Sequence, residues 1–177
     1  MDKLQKQNVL NIYIGFDEVE VVAYHTLSQS IIKYASGPVR ISPICSTHFC
    51  KFFNRPRDQK QSNDFSFTRF LVPYLNNFDG HAIFMDCDMM LRTDIFEVLD
   101  EVDLNNAISV VKHDYTPSDK VKYLNKVQYA YPRKNWSSFV VWNCSHKKNL
   151  KLTPSFIERA SGLELHRFTW LLDTEIG

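Results

Sequence analysis

The chain is 177 residues long, 44% hydrophobic and 14% aromatic, and carries 21 Lys+Arg against 20 Asp+Glu. That is enough chain for one domain with a real core, and too many aromatics at too ordinary a charge density for a disordered segment. A net charge of +1 supplies no field for gathering nucleic acid or an anionic membrane surface.

After a polar leader, NVLNIYIGF (8–16) reads as a buried strand. Asp17 follows, with Glu20 three residues on, the spacing of a capping box. Val19, Val22, Ala23, Leu27, Ile31 and Tyr34 then recur at helical spacing until Ser36-Gly37-Pro38 stops the helix. VRISPIC (39–45) predicts a second strand, weakened by Pro43, and the polar stretch 54–64 predicts an exposed loop. Phe67, Phe70, Leu71, Tyr74, Leu75 and Phe78 predict another helix, with Ser66, Arg69 and Pro73 on its polar side and a kink at Pro73.

HAIFMD (81–86) and AISVV (107–111) are strands of the fully buried sort, and SSFVVWN (137–143) is a further strand. Between them, 112–136 is a long excursion rich in Lys and Tyr. Thr153-Pro154 open a helix with a capping residue and a proline at its first position, and Glu164 to Leu172 is amphipathic. His166 and Trp170, four apart in that stretch, read as core packing. Strands alternating with helices imply an α/β domain with a mostly parallel sheet covered on both faces. In such sheets ligands bind beyond the carboxyl ends of the strands, which singles out Gly15 to Asp17, Asp86 to Asp88, Lys112 to Asp114, and Asn143.

Four cysteines, Cys45, Cys50, Cys87 and Cys144, show no C-x-x-C spacing, so neither a zinc clip nor a redox pair is indicated. No leader peptide is visible and no apolar run approaches the ~20 residues that span a bilayer. A cytoplasmic protein with reduced thiols is therefore expected.

HAIFMDCDMM carries the most chemistry. Five largely apolar residues deliver Asp86 and Asp88 to a strand end, and in extended chain residues two apart point to one side. Two neighbouring carboxylates repel unless a cation lies between them, and Mg²⁺ or Mn²⁺ suits such an oxygen pair, completed by phosphate and water. The same triplet can also simply end a strand in solvent. Arg69, on the preceding helix, is placed to reach a phosphate or a carboxylate with paired donors. His113, beside Asp114, is the one histidine placed to line the cleft. Lys120, Lys122, Lys126, Arg133 and Lys134 interleave with Tyr115, Tyr123, Tyr129 and Tyr131, which suits a solvated excursion shaping an acceptor site better than an RNA grip.

The run FSFTRFLVPYL (65–75) followed by AIFMDCDMML (82–91) resembles the retaining glycosyltransferases of family 8, the group of glycogenin and the lipopolysaccharide galactosyltransferases. IYIGFD (12–17) is similar to that family's opening strand, and the resemblance covers most of residues 9–145. It implies a GT-A, Rossmann-like fold: one nucleotide-sugar-binding domain over 1–177, shortened at its C-terminus relative to the family. It also implies a metal-dependent transferase that moves a sugar, with retention, from a nucleotide sugar (a UDP sugar above all) to a glycan, lipid-linked or protein acceptor. Asp86 and Asp88 match the positions that hold Mn²⁺ or Mg²⁺. Gly15, Phe16 and Asp17 match those touching base and ribose, and Arg69 matches an arginine that contacts the donor.

The chain departs from the family at three points. WSSF (136–139) stands where an N-[AS]-G-V run is usual, so Trp136 replaces a sugar-contacting asparagine. Asp173-Thr174-Glu175 stands where the family has a D-Q-D triplet, with Thr174 in place of the glutamine; Asp173 and Glu175 are the candidate catalytic acids, and the same residues equally suit a helix end. No residue corresponds to the family's metal-binding histidine. Two other readings share these features: a catalytically silent nucleotide-sugar or glycan-binding domain, and a haloacid-dehalogenase-type phosphatase with Asp86 as nucleophile. The phosphatase pattern wants Thr or Val where this chain has Met90.

Overall fold

A computed structural model describes residues 9–58, 61–113, 121–122, 126–127 and 134–177, the side chains from 113 to 135 excepted. In chain order the strands are β1 (Leu10–Gly15), β2 (Val39–Ile44), β3 (His81–Met85), β4 (Ile108–His113), the short β5 (Val121–Lys122) and β6 (Lys126–Val127), and β7 (Lys134–Asn143). Five of them form one sheet in the order β2-β1-β3-β7-β4, and β5 pairs with β6 in a separate hairpin. β1 runs parallel to both β2 and β3. β7 is antiparallel to β3 on one side and to β4 on the other, so four strands point one way and β7 alone runs back.

The composition of each strand explains its place. Every residue of β3 is buried, as a central strand of alternating Ala, Ile, Phe and Met must be when both sheet faces are covered. Pro43 sits on β2, an edge strand, where a missing backbone donor costs little. Alternation then sorts the faces. Tyr13 and Phe84 share one face by register, as do Ile12, Ile83, Ile14 and Met85 on the other.

Helix α1 (Val21–Tyr34) is preceded by a 3-10 turn, Glu18–Glu20, whose start is capped by Asp17 Oδ1 accepting from the Val19 amide at 3.2 Å. Glu20 does not close a capping box; its carboxylate accepts from the Cys87 thiol instead, at 3.3 Å. The predicted apolar stripe holds at Leu27 and Ile31 and fails at the helix start, where Val19 and Val22 are exposed.

The predicted helix at 67–78 is the main correction. It is a 3-10 turn, Thr68–Leu71, running into a single helical turn, α2 (Val72–Leu75), and residues 65–73 are all buried. Arg69 and Ser66 therefore do not lie on a solvent face; this segment is packed on all sides. Pro73 falls at the second position of α2, where its absent N–H leaves no ladder bond broken and no long helix exists to kink.

The short α3 (Glu97–Glu101) precedes β4. After β7 come α4 (Pro154–Arg159), capped by Thr153 as its sequence predicts, and α5 (Gly162–His166). Residues 175–177 then lie along β4, parallel to it, through Ala107 N–H to Glu175 O and Gly177 N–H to Ile108 O. No helix among the described residues is long and apolar enough to cross a membrane.

Candidate functional site

The carboxyl ends of β1 and β3 and the amino half of β7 meet at one edge of the sheet. Asp86 leaves β3 there, its amide donating to Ser138 O at 2.7 Å on β7. By alternation Asp86 shares the face of Phe84, where residues 65–69 pack, whereas Cys87 turns to the other face and meets Glu20. Cys87 thus turns into the fold as its sequence predicts, and Asp88 beyond it is exposed.

Arg69 is the buried cation of this edge, 5% exposed. Its Nη1 lies 3.0 Å from Asp86 Oδ1. The same nitrogen donates to Ser137 O at 2.9 Å and reaches Ser137 Oγ at 3.4 Å, while Nε donates to Phe65 O at 3.3 Å. The guanidinium also lies over the rings of Phe84 and Phe65, at 5.0 and 5.4 Å. Ser137 Oγ is in turn 2.9 Å from His166 Nδ1 on α5, and that imidazole packs edge-on against Phe70. His166 is thus both core packing and a member of the polar chain that includes Asp86, Arg69 and Ser137.

Burial governs the electrostatics. Removal from water pushes the Asp86 carboxyl up to about 6; Arg69 pulls it down, and the charges of Asp88 and Glu20 push it up again. Burial likewise holds the Arg69 guanidinium below its usual range, against the opposing pull of Asp86 and Asp88. The Cys87 thiol is pushed up to about 12 by burial and by its hydrogen bond to Glu20, so it is an inert neighbour rather than a nucleophile.

Gly15, Phe16 and Asp17 stand at the end of β1 beside this edge. A Cβ on Gly15 would lie 2.3 Å from the ring of Phe65, so glycine there lets Phe65 close over the strand. Phe16 is half-buried, edge-on to Tyr24 and nearly parallel to His48 at 6.2 Å. Asp17 is 8% exposed, and its second oxygen accepts from the Asp64 amide at 3.1 Å, which ties β1 to the segment leading to Arg69.

Asp173 and Glu175 are not brought to this cluster. Glu175 lies level with Ala107 at the amino end of β4, the opposite edge of the sheet from Asp86, and its side chain accepts from the Leu172 amide. Trp136, next to Ser137 on β7, is partly exposed. The side chain of His113, Asp114, and the basic and tyrosine side chains of the excursion from Tyr115 to Lys134 lie outside the described residues. Glu20, Ser137 and His166 carry no sequence signal for this edge; only the register of β7 against β3 brings Ser137 there.

The donor set fits a divalent ion. Asp86 Oδ1 is buried and has only Arg69 Nη1, at 3.0 Å, as a neighbour of opposite charge, and Asp88 is an exposed carboxylate two residues on. Carboxylate oxygens of this kind, completed by phosphate and water, are the donors that Mg²⁺ and Mn²⁺ take. Among the described residues no three His, Cys, Asp or Glu side chains form a complete cage.

The sheet and its edge define a Rossmann-like α/β fold of the kind found in glycosyltransferases. It is similar to the apo structure of the bifunctional glycosyltransferase WbbM, at TM-score 0.55 and 17% identity over 96% of this chain and 36% of that one. GlyE of Streptococcus pneumoniae TIGR4, a glycosyltransferase, matches at 0.51 and 12% over 96% of this chain and 42% of its own. An active-site mutant of LgtC matches at 0.51 and 10% over 91% of this chain and 63% of its own. Identities this low speak for the fold alone. No protein-family model matches the chain. In sequence it is 46% identical over 168 residues to Protein CDI of Arabidopsis thaliana, a match that takes in 94% of this chain and 65% of that protein's length.

Proposed function

We propose that this chain is the donor-binding part of a metal-dependent glycosyltransferase of family 8 type, moving a sugar from a nucleotide sugar, UDP-linked above all, to a glycan, lipid-linked or protein acceptor with retention. The observation that carries the reading is Asp86: a carboxylate at the carboxyl end of a buried central strand, largely removed from water, whose buried oxygen is held by a buried arginine at 3.0 Å. Carboxylates placed so, with Asp88 outside them, are suited to a cation shared with a diphosphate.

Asp86 and Asp88 would hold Mn²⁺ or Mg²⁺, which supplies Lewis-acid stabilisation of charge on the leaving diphosphate. Arg69 adds a fixed positive charge on the same side, already anchored by two carbonyls and therefore costing little reorganisation when the donor arrives. Phe16 and Asp17, at the end of β1, form the side suited to base and ribose. Asp173 and Glu175, at the far edge, take no part at this cluster. Their placement favours one second reading, a domain that binds the nucleotide sugar without turning it over.

Calorimetric titration of UDP with and without Mn²⁺, on the natural chain and on Asp86→Asn and Asp88→Asn, tests the binding half. Mn²⁺-dependent UDP affinity that both variants lose supports the site; equal affinity in Asp86→Asn removes it. UDP release from a panel of UDP sugars tests turnover, and binding without release decides for the silent domain.

A further inference from the structure

In the absence of a divalent ion, Asp86 already has a cation. Arg69 Nη1 lies 3.0 Å from its Oδ1, and that side chain is buried. Breaking the pair does not cast the guanidinium loose, because Nε stays on Phe65 O and Nη1 on Ser137 O. Ser137 is itself tied to His166 Nδ1 at 2.9 Å. The other terminal nitrogen, Nη2, carries no hydrogen bond among the described residues, so one end of the fork is open.

We propose that Arg69 is a resident counter-ion that a divalent cation displaces from Asp86, so that the cation and a nucleoside diphosphate bind as a coupled pair. This rests on the reading of Asp86 and Asp88 as the cation site. The physics is a charge exchange. A divalent ion arriving alone takes the anion on which Arg69 depends and leaves two cations side by side in a region poor in water. It binds weakly for that reason. A diphosphate arriving with it gives the freed guanidinium a new anion at its open end, and both costs vanish together. By linkage the enhancement is mutual: the diphosphate raises cation affinity by the factor that the cation raises diphosphate affinity.

The consequence runs against the usual expectation for a functional arginine. Removing Arg69 should tighten binding of the cation alone while loosening the coupling. The test is Mn²⁺ binding followed by electron paramagnetic resonance at pH 8, with and without saturating UDP. In the natural chain UDP should raise Mn²⁺ affinity at least tenfold. Arg69→Met and Arg69→Gln should each bind Mn²⁺ alone about tenfold tighter than the natural chain, the worth of one unit charge beside a divalent ion even at near-aqueous screening. Their enhancement by UDP should fall below threefold. Arg69→Lys keeps the charge and should keep weak binding of Mn²⁺ alone. Thermal melting confirms folding of each variant, and the two neutral ones differ in packing and in hydrogen bonding, so a packing loss does not mimic the result. Unchanged or weaker Mn²⁺ binding in both neutral variants overturns the exchange. Asp86→Asn separates the two readings: if it binds Mn²⁺ like the natural chain, the cation site itself is wrong and the exchange falls with it. If it loses Mn²⁺ while both neutral arginine variants show no tightening, the site stands and the exchange alone is refuted.

Discussion

Two buried polar clusters brace opposite edges of this sheet, and they are built on different principles. At the amino edge of β4, Asn149 is fully buried and fully used: its amide donates to Ala107 O at 2.7 Å and Asn143 O at 2.9 Å, and its oxygen accepts from Trp170 Nε1. Neutral donors and acceptors match there. At the other edge, Asp86 and Arg69 form a buried ion pair at 3.0 Å, and the negative charges of Asp88 and Glu20 act on Asp86 against it. A satisfied amide hub holds strands together. A buried charged pair adds less, because the desolvation of both ions offsets their attraction.

Exchanging stability for binding between the two edges breaks this comparison if it is wrong. Asn149→Ala should cost about 2–4 kcal/mol, because two carbonyls and an indole lose buried partners, while leaving Mn²⁺ and UDP binding intact. Asp86→Asn should instead lose metal-dependent binding, and its stability should differ from that of the natural chain by an amount that changes with pH. A stable Asn149→Ala protein would show that the amide hub is not structural. Arg69→Ala should weaken UDP binding in the presence of Mn²⁺ by about 1–3 kcal/mol, read by calorimetry, as for a lost charged hydrogen bond.

The pH dependence of stability sharpens the contrast. Asp86 titrates near 6 in the fold against about 3.9 in an unfolded chain, so between these values the folded protein holds the extra proton. Its contribution is therefore most favourable below about pH 4 and is lost as pH rises through 6, a decline of about 1–3 kcal/mol. Unfolding in urea from pH 4 to 8 should show that decline in the natural chain relative to Asp86→Asn; parallel curves would refute it. The smallest effect is at Cys87. Its thiol, pushed up to about 12 and buried, should resist iodoacetamide at pH 8 in the folded protein, while exposed Cys50 is modified.

Much of this architecture is legible along the chain. HAIFM reads as a fully buried strand because four successive apolar residues leave no polar alternation after His81, and it is one. Thr153-Pro154 starts a helix because capping is a local affair between a side chain and an amide three residues away. The segment around Arg69 is misread for the same reason that β3 is read well. An apolar stripe predicts which face is buried but says nothing about whether the opposite face is covered as well, and here β7 and the residues after it cover it. Glu20 shows a local rule overridden: a capping box fits its spacing, yet a thiol 67 residues away takes its carboxylate.

The sequence by itself determined the strand ends where Asp17, Asp86 and Asp88 emerge, since hydrophobic runs and their polar terminations are properties of neighbours in the chain. Only the tertiary structure decided that β7 runs backward between β3 and β4. That placement sets Ser137 and His166 behind Arg69 and leaves Asp173 and Glu175 at the far edge. Strand order depends on contacts between residues some sixty apart, and burial of the charges follows from that order, so neither is written in any local pattern.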